Sequence, residues 1–343
     1  MYSPTKKCHA ESATKDQSGP HRRIDCACTM SEIFAQATLE KLLGKRRFTT
    51  ELLSGGVSCD TAKVTWPPDG GAVVKRALAQ LRVPGRWEAD VDRILAEADA
   101  IELFSRITPM NVPAMLARND QELAIAIELA AADMQDWRFS MLSGTVEPEV
   151  GYTLGGILAQ WHTKTREMSA TELPQRIING KKRLYDLRAG AFYGGMAQTW
   201  PEYGSLIHEL SDELMQSREC IVHGDFSPKN ILHGPSGTWV LDFEVTHQGA
   251  PVFDLAYMSA HLNLKAIALH SQRDLVSQTL ANFLNAYQHH GGMIPKNLPM
   301  HAGVITAVRV AGISQVNYLD EAGKASALSR SRQLLEGASV LIP

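Results

Sequence analysis

The chain has 343 residues, 44% of them hydrophobic, and a formal net charge of −3. That length supports two units with a core each, and the near balance of charge argues against a general nucleic-acid binder, which would be clearly basic. No run of about 18 apolar residues occurs, so no membrane span is expected.

The first thirty residues mix Lys6, Lys7, Glu11, Asp16, Arg22, Arg23 and Asp25 without an apolar core. They lack the pattern of a secretory signal, and residues 1–30 read as a disordered tail. Cys8, Cys26 and Cys28 lie in this tail beside His9 and His21, at spacings that fit no zinc pattern well. With Cys59 and Cys220 the cysteine count is odd, which points away from a disulfide framework and towards a reducing, cytoplasmic setting. Met30 precedes Ser-Glu and a helical pattern, and is a candidate start of translation.

From Phe48 the pattern changes. Phe48 to Leu53 reads as a strand, residues 54–58 (Ser-Gly-Gly-Val-Ser) as a tight loop, and Thr61 to Trp66 as a second strand. Pro67-Pro68-Asp69-Gly70-Gly71 is a strong turn signal, and Ala72 to Arg76 is a third strand. A helix is expected over Glu88 to Ile107, where Val91, Ile94, Leu95, Ala98, Ile101 and Phe104 recur at helical spacing. Pro109 and Pro113 end it. Glu122 to Ala131 is an apolar run that reads as a buried strand, with a short helix as the alternative. Beyond it the chain is mostly helical: Val150 to His162 places Leu154, Ile157, Leu158 and Trp161 on one face, and residues 254–290 and 302–338 read as helices. Short strands interrupt near residues 220–242. A strand-rich unit over 31–130 followed by a larger helical unit over 131–343 is an α+β fold with the sheet first.

The chemistry concentrates between Cys220 and Asp254. Ile221-Val222 delivers His223-Gly224-Asp225, and Asn230 follows after four residues. Ile231-Leu232 and Trp239-Val240-Leu241 flank a Gly234-Pro235-Ser236-Gly237 turn and should pair as a hairpin. Asn230 and Asp242 then fall at the same end of that hairpin, with Asp225 facing them. Two carboxylates and an amide oxygen are hard ligands of the kind Mg²⁺ takes together with phosphate oxygens and water.

His-Gly-Asp, Asn230 and Asp242-Phe243 in this order and spacing resemble the catalytic and metal loops of the aminoglycoside phosphotransferase family, which is similar in turn to choline, homoserine and methylthioribose kinases. The resemblance implies a two-lobed, protein-kinase-like fold. It also implies transfer of the ATP γ-phosphoryl group to a hydroxyl of a small sugar-, aminoglycoside- or amino-alcohol-like acceptor, with neither nucleic acid nor membrane as partner. Asp225 would be the catalytic base, and Asn230 and Asp242 the Mg²⁺ ligands. Lys75, after Ala-Val-Val, matches the phosphate-binding lysine, with Lys63 and Arg76 as competitors. Glu97 lies within the apolar stripe of the following helix, where a glutamate needs a partner, so it is favoured over Glu102 and Glu88 as the partner of Lys75. Ser54, Gly55, Gly56 and Ser58 would form the loop over the phosphates. Glu128 to Ala130 aligns with the hinge that meets the base. His223 is expected to tie the loop to neighbouring backbone, Asp254 to cap the next helix and brace the loop, and Lys229 either to reach a phosphate or to stay solvated. Glu244 stands where protein kinases have glycine, and would assist the metal or orient Asp242.

From Val245 onward the acids are Asp254, Asp274, Asp320, Glu321 and Glu336, against Lys265, Arg273, Lys296, Arg309, Lys324, Arg330 and Arg332. This balance disfavours a polycationic acceptor and suits a neutral or anionic one. The alternative to an enzyme is a catalytically weak, kinase-fold nucleotide-binding protein.

Overall fold

The computed structural model describes residues 34–53, 57–82 and 87–342. The tail with Cys8, Cys26 and Cys28, and Ser54, Gly55 and Gly56 of the expected phosphate loop, lie outside the described residues.

A five-stranded antiparallel sheet comes first, in the order β1-β2-β3-β5-β4. Its strands are β1 (Thr49–Leu52), β2 (Cys59–Trp66), β3 (Gly70–Ala77), β4 (Met115–Asn119) and β5 (Ala124–Glu128). Side chains alternate across a sheet. Ala62, Val64, Ala72, Val74, Ala124 and Ala126 therefore share one face, buried against Leu39 and Leu42 of α1 (Gln36–Leu43). The opposite face carries Ile125 and Ile127 and joins the main core with Ile94, Leu95, Ala98 and Ile101 of α2 (Arg93–Ser105). Lys75 pairs in register with Thr61 and Ile125, so it falls on this second face.

α2 is shorter than the periodicity implied. It begins at Arg93, not Glu88. Gln80 and Glu88 form a β-bridge, and the Arg93 guanidinium takes the carbonyls of Ala89, Asp90 and Leu78, at 3.2, 2.8 and 2.7 Å. These bonds hold the preceding segment out of helix. β4 was not foreseen, because this edge strand pairs only with β5 and none of its residues is buried.

The remainder is mainly helical. A short strand β6 (Gln135–Asp136) leads into α3 (Trp137–Leu142) and the long α4 (Pro148–Glu167). Short helices α5 (Gln175–Ile178) and α6 (Lys181–Leu184) run into a π-helical segment, Tyr185–Gly194, followed by α7 (Gly195–Thr199) and α8 (Gly204–Gln216). Next come strands β7 (Cys220–Val222), β8 (Ile231–Gly234), β9 (Gly237–Val240) and β10 (His247–Gly249). Helices α9 (Val252–Ala268), α10 (Arg273–His289), α11 (Leu298–Ala311) and α12 (Glu321–Leu335) complete the unit. α4 and α10 approach closely because α4 presents glycines. A Cβ on Gly151 or Gly155 would come within 2.2 and 2.1 Å of the Thr279 and Phe283 carbonyls. Among the described residues, no helix is long and apolar enough to cross a membrane.

Candidate active site

The loop after β7 is held from beneath. Asp254, fully buried, accepts the His223 and Gly224 N–H groups at 2.7 and 2.8 Å, and its other contact is His162 Nε2 at 3.2 Å. Burial alone would raise this carboxyl's pKa; the His162 hydrogen bond and charge, with the loop N–H groups, outweigh it and hold it below the usual range. Asp254 does brace the loop, but it does not cap: the helix starts at Val252, and Asp254 sits in its first turn. Gly224 has φ +80°, and a Cβ there would meet the Val245 carbonyl at 2.7 Å. Only glycine fits both demands.

His223 is structural, as expected. Its Nδ1 accepts the Asp225 N–H at 3.1 Å, so the proton belongs on Nε2, which is donated to the Leu241 carbonyl at 3.0 Å. Burial keeps the ring neutral by pushing its pKa down. One imidazole thus fastens the Asp225 loop to the strand that ends at Asp242.

β8 and β9 form the expected hairpin, with Ile231 opposite Val240. The Leu241 N–H donates to the Asn230 carbonyl at 2.8 Å, which sets Asn230 and Asp242 at one end. Asn230 spends its amide N–H on the Asp225 carbonyl at 2.9 Å, and its side-chain oxygen has no hydrogen-bond partner among the described residues. Asp242 has φ +68°, a left-handed conformation that non-glycine residues adopt sparingly and that clusters at functional sites. An amide oxygen and a carboxylate side by side fit a hard divalent cation that completes its shell with phosphate and water. Among the described residues, no group of three His, Cys, Asp or Glu side chains is placed to hold a metal without such help.

Lys75 links the two halves. Its Nζ reaches Glu97 at 2.6 Å and Asp242 at 3.1 Å. Glu97 is therefore the partner of Lys75, in place of Glu102 or Glu88. Two carboxylates share one ammonium; Lys75 and Glu97 are buried, while Asp242 is half-buried. Burial, reinforced by the charge on Asp242, pushes Glu97 up to about 7, against the pull of Lys75. The Glu97 Oε2 is buried without a partner.

Asp225 shows the reverse balance. Its carboxylate pairs with Lys229 at 2.7 Å and Arg188 at 3.2 Å. Burial works against the charged form, yet these two cations hold the carboxyl well below its usual range. Its Oδ1 is buried and has no hydrogen-bond partner. Lys229 is thus not free: its side chain stays 34% exposed, but its ammonium pairs with Asp225. Arg188, from the π-helical segment, was missed by sequence reading. Its Nε also donates to the Gly224 carbonyl at 3.1 Å.

Glu244 is engaged away from Asp242. It accepts from Arg93 Nε at 2.9 Å, and Cys59 Sγ lies at 3.7 Å, so it bolts α2 to the β9–β10 connection. Ser58 uses its carbonyl on the Leu78 N–H at 2.8 Å and on Arg93, and its hydroxyl sits 3.9 Å from Cys59 Sγ. Glu128 is exposed at the end of β5; its N–H donates to the Ala114 carbonyl at 2.9 Å, and its carboxylate accepts the Ala114 N–H at 3.1 Å. Ala130 follows two residues on, half-buried.

With this geometry, the chain matches the phosphotransferase enzyme family (APH) over residues 49–298, and it belongs to that family. The particular relatives are more distant. A methylthioribose kinase of Bacillus cereus is 25% identical over 219 residues, covering 57% of this chain and 56% of that protein. The chain thus spans little more than half the length of the curated relatives it matches. Two solved structures share the fold. A putative fructosamine-3-kinase of Thermobifida fusca has a TM-score of 0.52 at 18% identity, covering 89% of this chain and 99% of the other. An amicoumacin kinase in complex with AMP-PNP, Ca²⁺ and Ami has a TM-score of 0.53 at 12% identity, covering 90% and 95%.

Proposed function

We propose that this chain is a small-molecule kinase that transfers the γ-phosphoryl group of ATP to an acceptor hydroxyl with Mg²⁺. The observation that carries this reading is the Lys75 ammonium, which meets Glu97 and Asp242 at 2.6 and 3.1 Å from two distant parts of the chain. Lys75 reaches the triphosphate while Glu97 fixes its direction. Asn230 and Asp242 would hold Mg²⁺, which would supply charge to offset that of the phosphate oxygens. The Glu128 to Ala130 backbone meets the purine, and Ser58 lies on the phosphate side.

Asp225 orients the acceptor hydroxyl through its unpartnered Oδ1 and takes the proton as the new O–P bond forms. Held below its usual pKa by Lys229 and Arg188, it is a weak base at rest. That suits phosphoryl transfer, where positioning and charge compensation dominate. When the γ-phosphate draws those cations away, the carboxylate becomes more basic at the moment it is needed.

The test is an acceptor screen with the full chain, ATP and Mg²⁺ across sugars, aminoglycosides, amino alcohols and homoserine, read as acceptor-dependent ADP release. Transfer that vanishes when Mg²⁺ is chelated supports the reading. Nucleotide binding with no transfer to any acceptor favours the binding-protein alternative.

A further inference from the structure

One face of α9 carries chemistry that phosphate transfer itself does not use. Tyr257, His261 and Lys265 recur every four residues, so they form one stripe along the helix. Its near end is at the candidate active site: Arg188, the partner of Asp225, lies 5.7 Å from the Tyr257 ring. The Tyr257 and His261 rings are 5.3 Å apart. At the far end the Lys265 ammonium stands 5.3 Å from the ring of Tyr318, in the connection between α11 and α12.

The charges along this stripe do not balance. Lys265 is 1% exposed and makes no ion pair among the described residues. It feels Arg138 and Arg309 as nearby positive charges and Asp136 as the opposing one. Asp136 is already paired with Arg138 at 2.8 Å. Arg309 spends one nitrogen on the Ser314 hydroxyl and has no carboxylate partner among the described residues. Three cations therefore face one committed carboxylate. Burial, with the two arginines, pushes Lys265 down to about 7, the behaviour of an ammonium short of an anion. Polar atoms beside it are also unsatisfied: His261 Nε2, Arg309 Nε, Arg138 Nε and the Tyr318 hydroxyl are buried without partners. Buried donors are rarely left unpaired unless a ligand or solvent completes them.

We propose that the acceptor carries an anionic group, a carboxylate or a phosphate, bound by Lys265 and Arg309 with Arg138 and the Tyr318 hydroxyl beside them, while its hydroxyl reaches Asp225. This rests on the kinase reading above and narrows its acceptor class. The excess positive charge repels a polycationic aminoglycoside. Toward the active site, Lys229 and Arg188 both pair with Asp225.

The experiment pairs acceptors of one carbon skeleton: hydroxy acids and sugar phosphates against the matching neutral polyols and sugars, with aminoglycosides as cationic controls. Each is scored by ADP release from ATP and Mg²⁺, and by equilibrium binding to the full chain loaded with AMP-PNP. The anionic compounds are expected to bind at least about tenfold tighter than their neutral partners, the worth of one charge-assisted contact. Lys265→Met, Lys265→Gln and Arg309→Met should each weaken anion binding by about tenfold and leave the KM for ATP within about twofold. A preference between carboxylate and phosphate identifies the anion. Neutral or cationic compounds bound as well as anions, or anion binding indifferent to all three substitutions, overturns the proposal. Anion binding that depends on Lys265, without any transfer, upholds the anion site and removes the kinase reading. Transfer only to neutral alcohols does the opposite.

Discussion

The two ion-pair clusters at the heart of the site, one around Lys75 and one around Asp225, hold Glu97 and Asp225 in opposite electrostatic settings. Around Lys75, two carboxylates compete for one cation, and Glu97 is pushed up to about 7. Around Asp225, two cations compete for one carboxylate, which is held well below its usual range. The first centre is short of positive charge and the second has an excess of it. The proposed metal–triphosphate complex would answer both, its divalent cation beside Asp242 and its transferable anionic end beside Lys229 and Arg188. The comparison teaches that complementarity here lies in the sign of each surplus. Fully compensated pairs would leave the ligand nothing to add.

The largest effect belongs to the second centre. Asp225→Ala should lower kcat by about 10²–10⁴-fold, the usual worth of a positioned acid or base, with AMP-PNP affinity nearly unchanged. Wild-type turnover in that variant, measured by ADP release, would break the assignment. Next comes the first centre. Lys75→Met should lower kcat/KM for ATP by about tenfold or more, because charge-assisted contacts to phosphate are lost. An unchanged ATP dependence would make Lys75 a purely structural bridge.

Two smaller effects sharpen the contrast through pH. Lys229 and Arg188 lower the Asp225 pKa, so Lys229→Met should raise it and move the acid limb of the kcat/KM profile to higher pH. A limb that stays in place would show that Lys229 does not set the charge on Asp225. Glu97 has the opposite sign. Its folded pKa of about 7 lies above the ordinary 4.5, so the folded chain holds its proton more tightly than the unfolded chain does. The stability it contributes is complete below about 4.5 and is lost as pH rises to about 7. Glu97→Gln should remove that loss. It is read as the difference in Tm between variant and wild type across this window, so that the buried histidines, which act in the opposite direction, cancel. No pH dependence in that difference would contradict the reading of the first centre.

How much of this was legible in the sequence follows from how local each signal is. The hairpin that aligns Asn230 with Asp242 was legible, because a turn of Gly-Pro-Ser-Gly between short apolar runs fixes its own register. Glu97 was legible because a glutamate within a buried stripe demands a cation. The beginning of α2 was not: Arg93 holds the preceding turn through carbonyls that lie apart in the chain. Arg188 left no signal at all, since it sits in an aperiodic π-helical segment whose partner arrives only with the tertiary fold. Lys229 was visible but ambiguous. Its distance of four residues from Asp225 matters only because the turn over Pro228–Asn230 brings the ammonium back onto the carboxylate.

The most direct measurement is a titration of AMP-PNP binding with and without Mg²⁺, on the wild-type chain and on Asp242→Ala. Wild-type affinity should fall by about tenfold or more when Mg²⁺ is chelated, and the variant should bind with low affinity whether or not the ion is present. A wild-type chain indifferent to Mg²⁺, or a variant that keeps the full Mg²⁺ response, would contradict the claim that Asp242 holds the metal on the triphosphate.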